Sequence, residues 1–335
     1  MEVRALGTSD LRVSPICLGT MMFGDRTDEA TAGRIVDRAR EVGINFIDTA
    51  DVYAGGASEE IVGRLIKSDR DRWVLASKVG NRMGDDPRCA GLGGPWLRRA
   101  IDDSLRRLGT DFLDIYYLHK PDPETPLDET LGAIGDILAS GKARYFGLSN
   151  YRGWQHADVV RVCDQLGIAR PVVSQPYYNA MNRVPEIEIL PACGHYGIGV
   201  VPYSPLARGI LTGKYAPGDK PPADTRAGRQ DERMMETEFR AESIVFAQHV
   251  KRRAEARGMR AGQFALNWVL GNRLVSSVLA GPRTEAQWQE YLGALDHRLD
   301  HEDEAFVDTM VAPGHPSTPG YSDPKYPITG RPVGP

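Results

Sequence analysis

Residues 44–78 read INFIDTADVYAGGASEEIVGRLIKSDRDRWVLASK, and this stretch decides the fold. Its two apolar runs, INFIDT at 44–49 and WVLASK at 73–78, are typical of buried strands. Between them, Ser58 is predicted to cap a helix that continues to about Lys67. A strand, a helix and a second strand in this order predict a parallel pair joined by a helical crossover.

The same alternation extends along most of the chain. Apolar residues at helical spacing lie between successive apolar runs, and eight strand–helix units can be counted. We predict strands at 16–20, 44–49, 73–78, 111–119, 143–150, 171–175, 197–205 and 274–281. Eight units favour a (β/α)8 TIM barrel, an α/β fold with eight parallel strands, over an open doubly wound sheet. The chain is therefore interpreted as a single domain, 1–335.

Two segments interrupt the alternation. A long loop rich in Gly, Pro and Arg follows the seventh strand and extends to about residue 235. A tail at 312–335 is rich in Pro and Gly and has no periodicity. We expect the tail to be either a disordered end or a loop over the barrel mouth.

Composition excludes several classes of function. The chain has 335 residues, 41% of them apolar, which suits one large barrel with a substantial core. The net charge of −4 gives no reason to expect nucleic acid or an anionic membrane as a partner. No apolar stretch is long enough for a spanning helix or a signal peptide. The four cysteines fit no zinc template. We therefore expect a cytoplasmic protein with reduced thiols and no metal.

Polar residues follow several predicted strands at the point where each strand ends. A parallel barrel places its active site at the carboxyl ends of its strands, and adjacent strands lie about 4.8 Å apart. Side chains at successive strand ends should therefore meet at one opening. The residues at these positions, together with one tyrosine from the following loop, are Asp48, Tyr53, Lys78, His119, Asn150, Gln175, Tyr203 and Ser204.

The ionisable members of this set are chemically complementary. A buried lysine is costly unless paired, so Asp48 is the expected partner of Lys78. The ammonium of Lys78 is expected to lower the pKa of Tyr53, which could then donate a proton to a carbonyl oxygen. His119 could orient that oxygen. Taken singly, each residue also has an ordinary structural role, such as a cap, a surface lysine or loop packing.

Six segments resemble, in order, motifs of the aldo-keto reductase superfamily. They are GINFIDTADVYAGGASEEIVGR (43–64), ASK (76–78), YYLHKPD (116–122), GLSN (147–150), VSQPYYN (173–179) and YSPLARGILTGKY (203–215). The resemblance extends from about residue 3 to residue 296. It implies an NADP(H)-dependent reductase of aldehydes or ketones, with a catalytic tetrad and Tyr53 as general acid. The tetrad consists of Asp48, Tyr53, Lys78 and His119.

The resemblance also implies cofactor contacts. The nicotinamide carboxamide would lie near Ser149, Asn150 and Gln175, with Tyr203 stacked on the ring. Arg283 would favour NADP over NAD, because a guanidinium suits a 2′-phosphate. Tyr291 departs from the asparagine common in relatives. Gly19, Thr20 and Met21 would line the cofactor from the first strand, with Asp48 as a further contact. The implied contacts to the pyrophosphate region are Ser204, Pro205, Leu206 and Lys214. The segment GPRTEAQWQEYL (281–292) resembles the adenosine-end segment of the superfamily, and its matching residues are Gly281, Arg283, Gln287 and Glu290.

Two other functions remain open at this point. The β subunits of potassium channels resemble the same superfamily and act mainly as NADP-binding partners, so a regulatory or scaffold role is the main alternative. A metal-dependent barrel hydrolase would need clustered His and carboxylates at strand ends, where only His119 qualifies. The substrate is a small carbonyl compound of unspecified class; the direction of the reaction and the oligomeric state stay open.

Overall fold

The structure is a computed structural model that describes residues 2–326. A short antiparallel hairpin, β1 (Arg4–Ala5) and β2 (Arg12–Val13), precedes the main sheet. The eight parallel strands of that sheet are β3 (Ile16–Gly19), β4 (Phe46–Asp48), β5 (Val74–Val79), β6 (Leu113–Leu118), β7 (Ala143–Ser149), β8 (Val173–Gln175), β9 (Gly199–Val200) and β10 (Val278–Ala280). Their order is β10-β3-β4-β5-β6-β7-β8-β9, and each adjacent pair is parallel.

The sheet curls until its first and last strands meet. Val200 forms a parallel bridge with Val275. The amide of Ser276 donates to the carbonyl of Val200 at 2.9 Å, and the amide of Leu279 donates to that of Pro202 at 2.9 Å. These bonds join the β9 end of the sheet to the β10 end. The prediction of an eight-stranded parallel (β/α)8 fold is confirmed.

Helices alternate with the strands as predicted. They are α1 (Glu29–Val42), α2 (Ala57–Ile66), α3 (Gly94–Leu108), α4 (Leu127–Ala139), α5 (Gly153–Leu166), α6 (Ile189–Tyr196), α7 (Glu232–Thr237), α8 (Ala241–Ala256), α9 (Ala261–Gly271), α10 (Glu285–Leu292) and α11 (His301–Met310). None of these helices in residues 2–326 is long and apolar enough to cross a membrane. Beyond the predicted elements, the structure adds the hairpin, α7 and α11.

The start of α2 differs from the prediction. Its N-cap is Gly56, which has a left-handed φ of 100°. Ser58 lies inside the helix, and its hydroxyl donates to the carbonyl of Thr20 at 2.9 Å. The prediction of Ser58 as the cap is therefore wrong, because a tertiary partner binds its hydroxyl. This bond ties α2 to the end of β3.

Strands β5 and β6 are buried along their whole length, as expected for parallel strands covered on both faces. The core includes Phe46, Ala76, Ile115, Tyr117 and Val173. All four cysteines are free and buried.

The described chain divides into two compact units. The first contains residues 2–177, 185–203 and 270–292, and the second contains 178–184, 204–269 and 293–326. The predicted tail falls in the second unit. There the amide of Ser317 donates to Met181 at 2.8 Å, and the ring of Tyr321 lies 3.7 Å from the guanidinium of Arg240. The first part of the tail is thus tied to its own unit, and residues 327–335 lie outside the described residues.

Candidate active site

A buried ion pair lies at the carboxyl ends of β4 and β5. The side chains of Asp48 and Lys78 are 1% and 0% exposed, and the ammonium of Lys78 donates to the Asp48 carboxylate. It also donates to the carbonyl of Thr49 at 2.8 Å and lies 3.3 Å from the hydroxyl of Tyr53. An unpaired charge at this depth would cost several kcal/mol. The carboxylate and the carbonyl therefore hold the ammonium beside the phenol.

The strand register brings these groups together. Asp48 lies beside Ala76, and Lys78 lies beside Tyr117 in the next pairing. A shift of one residue would turn each side chain to the opposite face of the sheet. The tight apolar packing of β4 to β6 therefore fixes the position of the charged pair.

His119 follows β6 and lies close to Tyr53. Its backbone amide donates to the carbonyl of Val79 at 2.8 Å, and the two rings meet edge to face with centroids 6.0 Å apart. The side-chain amide nitrogen of Asn81 lies 3.0 Å from Nδ1 of His119. An amide NH2 is a donor, so Nδ1 is the acceptor and Nε2 carries the proton. All four members of the predicted tetrad are thus brought to one place.

Asn81 was not identified from the sequence. It stands three residues after Lys78, in the loop that follows β5, and its position just past a strand end was the available signal. Tyr177 was also missed; its ring stacks on that of Tyr203 at 5.6 Å with an interplanar angle of 29°.

A chain of amides and hydroxyls continues from the ion pair. Gln175 donates to the second carboxylate oxygen of Asp48 at 3.0 Å, and the hydroxyl of Ser149 donates to the carbonyl of Gln175 at 3.0 Å. Asn150 donates to the carbonyl of His119 at 2.8 Å and accepts from the Tyr203 hydroxyl at 2.8 Å. The predicted nicotinamide-side residues and the tetrad thus form one hydrogen-bonded network.

Burial and charge act in opposite directions on the titrating groups. Desolvation raises the pKa of Tyr53 above its usual value, and the opposing effect of Lys78 is smaller. The predicted net lowering is therefore wrong, because the phenol is buried. Burial lowers the pKa of Lys78, but Asp48 and Tyr53 together outweigh it and leave that pKa raised. Burial raises the pKa of Asp48, with Lys78 and Gln175 opposing. Tyr53 and Lys78 are accordingly both protonated at neutral pH.

The ends of β3 and β10 approach closely. Thr20 is buried, and its hydroxyl donates to the carbonyl of Asp48 at 3.0 Å, whereas Met21 is 40% exposed. A Cβ placed on Gly281 would lie 3.4 Å from the carbonyl oxygen of Gly19. The ends of β3 and β10 therefore lie within van der Waals range of each other at these two glycines.

The segment after β10 carries the residues predicted for the adenosine end. The amide of Arg283 donates to the side chain of Gln287 at 2.8 Å, and its carbonyl accepts from Thr27 at 2.9 Å. Within residues 2–326 the guanidinium of Arg283 has no hydrogen-bond or ion-pair partner, and the residue is half-buried. Gln287 and Glu290 lie on α10.

The second unit holds the residues predicted for the pyrophosphate. Ser204 has a φ of 56°, and its carbonyl accepts from the side chain of Asn179 at 2.9 Å. Pro205 and Leu206 follow, and Leu206 is buried. The ammonium of Lys214 lies 5.3 Å from the ring of Tyr215.

A sequence profile described as the aldo/keto reductase family matches residues 15–312. The chain belongs to this family. The match covers all eight barrel strands and every residue of the tetrad. In the described chain no group of three or more His, Cys, Asp or Glu side chains could hold a metal ion.

Several curated proteins resemble this chain along most of its length. It is 36% identical to the "uncharacterized oxidoreductase YrpG" of Bacillus subtilis over 90% of this chain and 93% of the relative. It is 32% identical to the L-glyceraldehyde 3-phosphate reductase of Escherichia coli, over 94% and 93%. It is also 35% identical to a probable voltage-gated potassium channel subunit beta of Oryza sativa subsp. japonica, over 88% and 92%. The two relatives named as an oxidoreductase and a reductase support the assignment of this chain as an oxidoreductase.

Proposed function

We propose that this chain is an NADP(H)-dependent oxidoreductase that reduces aldehydes or ketones to alcohols, with Tyr53 as the general acid. The observation that carries the proposal is the 3.3 Å distance between the Tyr53 hydroxyl and the buried ammonium of Lys78. A cation at this distance favours release of the phenolic proton once negative charge develops nearby.

The residues of the site divide the proton chemistry between them. Tyr53 donates its proton to the substrate oxygen as the carbonyl is reduced, and Lys78 stabilises the resulting phenolate. Asp48 and the carbonyl of Thr49 hold the ammonium in place. His119, with Nε2 protonated, donates a hydrogen bond that orients the substrate oxygen. Removing one such donor should cost about 3 kcal/mol of transition-state stabilisation.

The residues present fit a dinucleotide phosphate. The half-buried guanidinium of Arg283, which has no partner among residues 2–326, suits a 2′-phosphate, since a guanidinium group can bind two phosphate oxygens at once. Ser149, Asn150 and Gln175 offer amide and hydroxyl groups for a carboxamide, and Tyr203 offers an aromatic face. When bound, NADPH would supply the hydride that reduces the carbonyl carbon.

The test is NADPH oxidation by the purified protein with a panel of aldehydes and ketones, including glyceraldehyde 3-phosphate. We expect turnover in the wild type and a loss of at least about 100-fold in kcat for Tyr53→Phe, since the general acid is removed. Tyr145→Phe is the matched control, because its hydroxyl contacts Asp10 and lies outside the tetrad. Full turnover by Tyr53→Phe would contradict the assignment of the acid.

A regulatory role is the second candidate, favoured by the 35% identity to proteins named as channel β subunits. It predicts NADPH binding without turnover on any carbonyl compound. Measurement of tryptophan fluorescence during NADPH titration, beside the activity panel, separates the two functions.

A further inference from the structure

A cavity lies beside the tetrad in the first unit. Its volume is about 310 Å³, and its walls come from Asp51, Gly55, the loop after β5, and α3. No tetrad side chain lines it. The volume corresponds to roughly ten water molecules at about 30 Å³ each, which leaves room for a small organic molecule.

Two polar groups in this wall lack a protein partner. Asp51 is 1% exposed, and both of its carboxylate oxygens are buried without a hydrogen-bond partner in the described chain. The indole nitrogen of Trp96 is buried and unpartnered in the same way. Buried polar groups in folded proteins are normally hydrogen-bonded. A ligand of this site should therefore offer a donor to the Asp51 carboxylate and an acceptor to the Trp96 indole.

The other charges in the wall are already balanced. Arg107 donates to Glu59 at 2.6 Å, and Asp103 lies 2.8 Å from Arg106. Arg99 lies 3.8 Å from the carboxylate of Asp103 and 2.6 Å from the sulfur of Cys89. Asp51 is therefore the lining charge that no neighbouring side chain pairs.

We propose that this cavity binds a small neutral molecule that carries hydroxyl groups, with Asp51 and Trp96 as its polar anchors. A hydroxyl can donate to the carboxylate, and a hydroxyl can accept from the indole, so hydroxyl groups suit both anchors. The charged side chains that line the cavity are two carboxylates, Asp51 and Asp103, and two guanidinium groups, Arg99 and Arg107, so their formal charges cancel. A neutral molecule therefore fits this lining better than an ammonium or an anionic compound, because it adds no buried net charge.

The titration of Asp51 agrees with a hydroxyl partner. Burial, with Glu59 adding to it, raises the pKa of Asp51 to about 7, against lowering by the positive charges of Arg107 and Lys78. Both protonation states are then populated near neutral pH. A hydroxyl can serve either state, because it donates to a carboxylate and accepts from a carboxylic acid.

The test uses xylitol as the probe, with butylammonium and butyrate as charged probes of similar size. Saturation-transfer NMR on the full chain would give the dissociation constants. We expect xylitol to bind the wild type and to bind Asp51→Leu and Trp96→Phe at least about tenfold more weakly, as each loses one hydrogen-bond partner. Trp288→Phe is the matched control, because its buried indole nitrogen also lacks a partner but the residue lies on α10, outside the cavity.

Three results would overturn the proposal. They are equal xylitol affinity in Trp96→Phe and Trp288→Phe, absence of xylitol binding at about 100 mM, and tighter binding of either charged probe. If Asp51→Leu does not fold, Trp96→Phe against Trp288→Phe still decides the outcome. The probes need no cofactor or turnover, so the result is independent of the proposed reductase activity.

Discussion

Asp48 and Asp51 stand three residues apart, and both are almost fully buried, yet their surroundings differ. Asp48 binds the ammonium of Lys78 and accepts from Gln175. The carboxylate of Asp51 has no hydrogen-bond partner in the described chain, and the residue lines a cavity. The free energy of a buried carboxylate therefore depends on its neighbours rather than on its depth. The carboxylate of Asp48 holds the ammonium that the proposed chemistry needs, whereas the carboxylate of Asp51 has no hydrogen-bond donor within residues 2–326.

The largest effect should come from removing the partner of Asp48. Lys78→Met leaves a buried carboxylate unpaired, so we expect a loss of about 3–5 kcal/mol in the free energy of unfolding. Reductase activity should fall at least about 100-fold as well, because Tyr53 loses its cation. Urea unfolding and kcat measure the two effects. The double variant Asp48→Asn/Lys78→Met should recover part of the stability but none of the activity; equal stability of single and double variants would contradict the ion-pair argument.

Substitution of Asp51 should raise the free energy of unfolding at high pH, the opposite of the loss expected for Lys78→Met. Its pKa is about 7 in the folded protein, above the unfolded value near 4, so the native state binds the extra proton. Stability is therefore retained below about pH 4 and lost as the pH rises to about 7, by up to about 4 kcal/mol in total. We expect Asp51→Asn to be more stable than the wild type at pH 8 and to differ little at pH 4. Urea unfolding at both pH values is the measurement, and a pH-independent difference would rule out this titration.

Arg283 extends the comparison to an unpartnered cation that reaches solvent. We expect Arg283→Met to weaken NADPH binding about tenfold or more and to leave NADH binding unchanged, because only NADPH carries a 2′-phosphate. Fluorescence titration with both nucleotides measures this selectivity. Arg34→Met is the matched control, since Arg34 is exposed and already paired with Glu285 at 2.7 Å. Equal losses for the two nucleotides would remove Arg283 from the phosphate site.

Asn81 should give the smallest effect, because its contact involves no formal charge. As a positioning residue it holds Nδ1 of His119 as an acceptor. We expect Asn81→Leu to lower kcat/KM about tenfold, and Asn81→Asp to favour the Nδ1-protonated tautomer. Nitrogen NMR shifts of His119 read the tautomer without any substrate. If Nδ1 of His119 is protonated in the wild type, Asn81 accepts a hydrogen bond there instead of donating one, and the proposed positioning role is wrong.

The sequence predicted the barrel and the tetrad positions because both depend on local patterns. Asp48, Lys78 and His119 each end an apolar run, and parallel topology brings such ends together. Asn81 and Tyr177 could not be found this way, since their importance comes from contacts between loops. The pKa of Tyr53 was misjudged because a pattern shows which charge is near but not how deeply the phenol is buried.

Short elements could not be predicted from hydrophobic periodicity either. The two-residue strands β1 and β2 and the six-residue α7 are too brief to show a period. In α11 a readable signal was present: Asp300 and Asp303 form a capping box at its start. The lack of a partner for the Asp51 carboxylate within residues 2–326 depends on packing among three separate segments, and no local motif encodes it.

The closure of the barrel between β9 and β10 has a consequence for motion. β9 has two residues, and it is joined to the β10 side by one β-bridge and a few backbone hydrogen bonds. β5 and β6, in contrast, each contribute six buried residues. Local opening is least costly where the fewest bonds must break together. Transient local opening of the barrel should therefore begin between β9 and β10. The strands β5, which carries Lys78, and β6, which precedes His119, should stay paired.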